Sequence, residues 1–420
     1  MKPIQVALIG AGGRGIETFG AFALRNPYEI QFIAVAEPNP ERRAQFAKQH
    51  NIPADRQFTS WEDLLARPQL CEALIIATMD RLHYVPTMAA LDTGYDILLE
   101  KPMSNDPSEC LQMVQKAQAQ NRLLMICHVL RYTPFFSAIK QFVDSGILGE
   151  IVSVQHNENV GYYHQAHSFT RGNWRNSQLS SPMILAKCCH DMDILVWLIG
   201  KRCQKIASFG GLHLFKPENA PVGAPSRCTD GCPVERQCPY SAIRIYIEEH
   251  QSWGDFIKPV MDPTEESKWE ALREGPYGRC VYRCDNDVVD HQVISMEFEG
   301  GVTVAFTMCG FTADISRSMK IMGTKGELRA HMETNEIEVR DFVTLNRQVI
   351  HTATGVGHGG GDDGLLHTFS RLVRSTDPVE RLHSLTSASV SVQSHLMAFA
   401  SERARLEKRV IDLQEFARQI

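Results

Sequence analysis

The sequence predicts a two-domain α/β protein: a doubly wound parallel sheet over residues 1–130, then an α+β domain with an open, mainly antiparallel sheet over residues 131–420. Three observations carry this. A chain of 420 residues is too long for one ordinary core and suits two. Short apolar runs alternate with amphipathic stretches through the first third. That alternation stops at Arg131-Tyr132-Thr133-Pro134, after which hairpin signals such as Glu299-Gly300-Gly301 take over.

In the first part, residues 4–9, 30–36, 73–77, 97–99 and 123–127 read as strands, with helices expected at 13–24, 40–49, 85–92 and 107–118. In the second part, strands are expected at 151–155, 206–213, 292–298, 303–308, 319–322 and 327–330, with one helix over 183–198. From Asp363 onward the pattern is helical, and residues 214–290 form an irregular insertion rich in Cys and Pro.

Composition narrows the function. With 43% hydrophobic and 22% charged residues the chain has the make-up of a globular protein rather than a disordered one. A net charge of -6 gives no pull toward nucleic acid or anionic lipid. No stretch reaches membrane-spanning length and no signal architecture is seen, so the expected compartment is the cytoplasm. Twelve cysteines there are thiols or metal ligands rather than a disulfide framework.

Gly10-Ala11-Gly12-Gly13-Arg14-Gly15 follows the first strand and opens a helix. Gly10 permits a tight turn, Gly12 a close backbone approach to a pyrophosphate, and Gly15 close helix–strand packing. Free N–H groups at the helix start, those of Gly13 and Arg14 among them, would face the phosphates. Glu37 ends the second strand, at the distance where an acid accepts bonds from ribose hydroxyls and repels a 2′-phosphate. NAD is therefore expected over NADP, with Arg42 and Arg43 as the residues opposing that choice.

Glu100-Lys101-Pro102 follows the strand at 97–99. Together with the glycine motif, His83, Arg131-Tyr132-Thr133-Pro134, His190-x-x-Asp193 and Gly323-Thr324-Lys325-Gly326-Glu327-Leu328, it resembles the Gfo/Idh/MocA oxidoreductases, a family that includes glucose–fructose oxidoreductase and inositol dehydrogenase. The resemblance implies a Rossmann domain and an open-faced α/β domain whose sheet covers the nicotinamide and often mediates oligomers, here a homodimer or homotetramer. It also implies a cis Lys101–Pro102 bond, and adds Thr78, His83 and Glu100 to the cofactor-binding set.

A lysine ammonium near a carbinol oxygen stabilises a developing alkoxide and can relay its proton, which makes Lys101 the first catalytic candidate. His190 is the second. The family pattern has an aspartate four residues before it; Ala186 stands there instead, with Lys187-Cys188-Cys189 between. His190 then reads either as an unaided general base or as a core histidine.

The run from Asn157 to Arg175 is dense in aromatic, amide and cationic side chains, which suits a carbohydrate substrate. Tyr163, His167, Arg171 and Trp174 are the candidates, with Lys187, Asp193 and His358 completing the set. His358 lies in Gly357-His358-Gly359-Gly360-Gly361-Asp362-Asp363, which reads either as backbone held against a ligand or as a linker. In the insertion, Cys228, Cys232 and Cys238, with Cys280 or Cys284, are expected to hold a structural zinc. An iron–sulfur cluster uses the same ligands.

Three functions compete: an NAD-dependent oxidoreductase acting on a secondary alcohol of a sugar, polyol or glycoside; an NAD-recycling glycosidase or lyase working through a 3-keto sugar; and a non-catalytic sugar–NAD sensor.

Overall fold

A computed structural model describes residues 2–257, 264–355 and 357–420. Residues 258–263 of the expected insertion lie outside these. Six parallel strands form the first sheet: β1 (Ile4–Ile9), β2 (Ile30–Ala36), β3 (Gln57–Phe58), β4 (Ala73–Ile76), β5 (Asp96–Leu99) and β6 (Leu124–Ile126). Their order is β3-β2-β1-β4-β5-β6, with the chain reversing direction across the sheet between β1 and β4. Helices cover both faces, so β1, β4 and β5 are buried almost throughout and read as continuous apolar runs.

The second sheet has nine strands: β7 (Ile151–Asn159), β8 (Cys203–Gly211), β9 (His291–Phe298), β10 (Val302–Cys309), β11 (Ser316–Gly323), β12 (Gly326–His331), β13 (Glu336–Asp341), β14 (Arg347–His351) and β15 (Ile411–Asp412). Only β7 and β10 pair in parallel. Along β10, Val302, Val304, Phe306 and Met308 are buried while Thr303 and Ala305 face out, the alternation expected of a sheet covered on one side. The outer face carries the exposed cross-strand pair Phe209–Val293.

Three departures from the expected elements bear on the site. The helix expected over 183–198 breaks into Met183–Ala186 and Cys189–Ile199, with Lys187 and Cys188 between them. Helix Gly361–Arg374, reached after the second sheet, buries Leu365, Leu366, Phe369 and Leu372 in the same apolar cluster as Val6, Leu8 and Phe32 of the first. The insertion has an apolar core of its own, around Phe215, Tyr240, Ile245, Tyr246 and Tyr282. Among the described residues no helix is long and apolar enough to cross a membrane.

Candidate active site

The glycine loop is pinned on two sides and open on the third. Gly10 has φ +94°, and a Cβ there would meet the Ala77 carbonyl oxygen at 2.7 Å. At Gly15 a Cβ would lie 2.4 Å from the Gly10 oxygen and 3.1 Å from Leu8 Cδ2, so the helix can approach β1 only without a side chain. Gly12 and Gly13 face open space, with nothing within 4 Å of an added Cβ. The wide turns of Arg14–Gly20 then lead into helix Ala21–Arg25. A loop with this open side and free N–H groups fits a dinucleotide pyrophosphate.

Glu37 sits under the loop and is nearly buried. One carboxylate oxygen accepts the Ala11 N–H at 2.7 Å and the other the Asn39 N–H at 2.9 Å. Each oxygen keeps a second lone pair for a ribose hydroxyl. Arg43 donates its guanidinium to the Glu37 backbone carbonyl.

Arg14 ties the start of the glycine-loop helix to the end of β5 and to helix Gly361–Arg374. Its Nε pairs with Glu100 at 2.5 Å and its Nη2 with Asp362 at 2.8 Å. Asp362 also takes a 2.9 Å contact from His358 Nδ1. Burial alone would push the Asp362 carboxyl up; the His358 contact and the Arg14 charge outweigh it and hold it below the usual carboxylate range. Asp362 was not singled out from sequence, although it stands in the glycine-rich string that was.

Lys101 follows β5, and the Lys101–Pro102 bond is cis. Its Nζ donates to the Ala186 carbonyl at 2.8 Å. That oxygen is free because the helix stops at Ala186, leaving its last carbonyls without intrahelical partners. Where the family pattern has a carboxylate, a backbone oxygen holds the lysine. Two buried histidines brace the segment from behind. The ring nitrogens of His83 face the Pro102 carbonyl at 2.7 Å and the Thr78 carbonyl at 3.1 Å, and His395 Nε2 accepts the Met103 N–H at 2.9 Å. His83 and Thr78, expected at the cofactor, are thus tied to each other and to the lysine segment.

His190 is buried, with an unpartnered Nδ1. Burial, then the Lys101 and His128 charges, push its pKa well below the ordinary value, so the ring is neutral at pH 7. The His358 ring lies 6.2 Å away, centroid to centroid. The structure therefore brings together Lys101, His190 and His358, with Arg14, Glu100 and Asp362 alongside.

Other expected substrate residues are placed elsewhere. Asp193 is buried in a bidentate pair with Arg131, both contacts at 2.7 Å, and holds two helices together. Its three-residue spacing from His190 turned it inward. Arg171 is fully buried against the insertion, donating to the Arg279 and Tyr240 carbonyls. His167 stacks on Tyr277 at 4.6 Å and contacts the Tyr246 hydroxyl; burial and the Arg171 charge push it down to about 3. Trp174 donates to Asp80, which also accepts from Ser180 and Ser181 and so fastens the loop after β4 to the second domain. Lys187 turns to buried Glu158 at 3.3 Å, beside Arg317.

Tyr163 keeps a position on the wall, stacked on His250 at 3.9 Å and edge-on to Trp253 at 5.6 Å. His250 and Trp253 belong to the insertion and were missed, because an irregular Cys- and Pro-rich segment gave no reason to bring them to the cleft. Burial and the Asp255 charge raise the Glu17 carboxyl above its ordinary range.

Two family descriptions match most of the chain: the NAD-binding Rossmann fold of the Gfo/Idh/MocA oxidoreductases over residues 4–128, and the C-terminal alpha/beta domain of the same family over residues 140–353. The chain belongs to this family. Among relatives, a putative oxidoreductase, YteT, of Bacillus subtilis is 24% identical over 374 residues, 84% of each chain. An inositol 2-dehydrogenase of Corynebacterium glutamicum is 27% identical over 209 residues, 49% of this chain and 57% of that protein. A levoglucosan dehydrogenase, solved in complex with NADH and L-sorbose, superposes with a TM-score of 0.72 at 18% identity, covering 98% of this chain and 99% of that one. The expected fold class, a parallel doubly wound sheet followed by a mainly antiparallel one, is the family's.

Proposed function

We propose that this chain is an NAD-dependent oxidoreductase that moves hydride to or from a secondary alcohol carbon of a sugar, polyol or glycoside, with residues 1–130 carrying the nucleotide. The observation that carries this reading is the meeting of Lys101 with the Ala186 carbonyl and neutral His190 at the end of β5. NAD bound on the glycine loop would accept or return the hydride. Lys101 would hold the carbinol oxygen and stabilise negative charge on it, and His190 would take the proton. Tyr163 and the insertion's Trp253 would cover the sugar's C–H faces and keep water out. Glu37 supports NAD over NADP.

A redox-neutral variant, in which the oxidised sugar loses a substituent and the hydride then returns, is favoured by one feature: with Ala186 at the usual acid position, a backbone oxygen rather than a carboxylate holds the lysine. A panel of sugars and glycosides, assayed for both NADH formation and leaving-group release, tests both readings. Net NADH supports the first, and release at catalytic NAD with proton exchange into deuterated water supports the second. Tight binding without turnover would defeat both and leave a sensor. The twelve unpaired cysteines fit a reducing compartment such as the cytoplasm. The exposed Phe209–Val293 pair supports a homodimer or homotetramer formed on the second sheet.

A further inference from the structure

The insertion gathers four cysteines around one small cavity. Cys228, Cys232, Cys238 and Cys280 line a cavity of about 20 Å³, with Pro221, Glu235, Tyr240, Ser241 and Tyr282 among its other walls. The fifth thiol, Cys284, is not among them and turns to the Cys280 carbonyl at 3.3 Å. The sequence left the fourth ligand open between these two; the cavity selects Cys280.

Arg171 supplies the second, independent observation. Its side chain is fully buried, and among the described residues no carboxylate pairs with it. It donates to two backbone carbonyls and lies 3.7 Å from Cys228 Sγ, while Nη1 has no partner. A buried guanidinium facing four neutral thiols would be an uncompensated charge, which is strongly destabilising. A set of metal-bound thiolates would compensate it. The Ala242 N–H also points at Cys228 Sγ, at 3.4 Å, the arrangement that stabilises sulfur carrying negative charge.

Sulfur spacing separates the metals. Around zinc, four sulfurs at about 2.3 Å from the ion lie roughly 3.8 Å apart. Here no three of the sulfurs come within 4.8 Å of one another; among the described residues only Asp314, His331 and Glu333 form so tight a group. The thiols share a cavity yet stand wider than a single ion would draw them. An iron–sulfur cluster, whose irons and sulfides occupy the centre, holds its cysteines farther apart.

We infer that Cys228, Cys232, Cys238 and Cys280 hold an iron–sulfur cluster, charge-balanced by Arg171, that anchors the insertion beside the substrate wall. Arg171 ends the segment Gln165–Arg171, so the cluster fixes the piece of chain that carries His167 and adjoins Tyr163.

The test is anaerobic purification of the full chain, with reconstitution by ferrous iron and sulfide, followed by metal analysis, labile-sulfide analysis and Mössbauer spectroscopy. Iron and labile sulfide are expected in equal amounts, at about two to four irons per chain, with a visible absorption bleached by dithionite. Cys238→Ser should lose at least tenfold of the bound iron, and Cys284→Ser should keep it. The wild-type analysis decides even where Cys238→Ser fails to fold. One zinc per chain without iron or sulfide overturns the cluster, and absence of any bound metal overturns the site. Iron lost in Cys284→Ser but kept in Cys238→Ser overturns the ligand set.

Discussion

Acid should loosen the lysine segment through His395. The surroundings of this ring require it to be neutral: Nε2 accepts the Met103 N–H at 2.9 Å and Nδ1 donates to the Ser391 carbonyl at 3.0 Å. A second proton would displace the bond that holds the residue after Pro102. Burial, reinforced by His128, pushes the folded pKa down to about 3, against about 6.5 for an unfolded histidine. Below about pH 6.5 the unfolded chain therefore takes up a proton that the folded chain refuses. Stability is full above that pH and falls by about 1.4 kcal/mol per unit below it. At about pH 5 the loss is about 2 kcal/mol from this ring, and any folded value under about 4 gives the same figure. His167, also pushed down to about 3, adds a similar loss. Urea unfolding of the wild type and His395→Gln, followed by tryptophan fluorescence at about pH 7.5 and about pH 5, measures the effect. The glutamine amide can still accept the Met103 N–H but does not titrate. Its stability should drop by about 2 kcal/mol less than the wild type's between the two pH values. An identical pH dependence in the two proteins would show that the folded ring titrates normally, and would refute the reasoning.

Other perturbations have equally definite outcomes. Lys101→Met should lower hydride transfer by about 10²–10³-fold while leaving NAD affinity, measured by calorimetry, within about threefold. Gly12→Ala should fold normally but bind NAD at least about tenfold more weakly, because its methyl enters open space that the phosphates need, whereas Gly15→Ala should lose about 1–3 kcal/mol of stability from the 2.4 Å clash with Gly10. Arg131→Met should cost about 3–5 kcal/mol in thermal or urea unfolding, since it strands the Asp193 carboxylate in the interior. Asp362→Asn should weaken the tie between Arg14 and His358 and depress turnover more than stability; an unchanged kcat would remove that chain of contacts from the site.

The first sheet was legible because its strands are short apolar runs whose ends carry glycine and acid signals, and only the two-residue strand Gln57–Phe58 escaped notice. In the second sheet, Glu336–Asp341, Arg347–His351 and the two-residue Ile411–Asp412 were missed: the first alternates over only two apolar residues, Ile337 and Val339, the second is largely exposed, and the third is too short to show a period. The break at Lys187 was invisible because Met183–Leu198 is apolar enough to read as one helix; what interrupts it is a tertiary event, with Lys187 reaching Glu158 and Ala186 offering its carbonyl to Lys101. The tight turn at Gly10, the close helix–strand approach at Gly15 and the place of Lys101 just after β5 follow from local spacing and were legible in it. Arg171, His167 and Asp193, expected at the substrate, instead make buried polar contacts, because composition does not separate a polar wall from a polar interior. The insertion's core went unseen for the opposite reason: its aromatic residues are scattered among turns, and only the folded chain collects them.

The late helix that fills the space beneath the first sheet has a consequence for biosynthesis. Leu365, Leu366, Phe369 and Leu372 complete an apolar interior whose other walls were translated more than two hundred residues earlier. While the ribosome is still making the second sheet, the nascent nucleotide-binding lobe has a greasy flank and no means of closing it. Completion of that lobe waits for nearly the whole polypeptide, and a chaperone that shields such flanks has its longest window of engagement here.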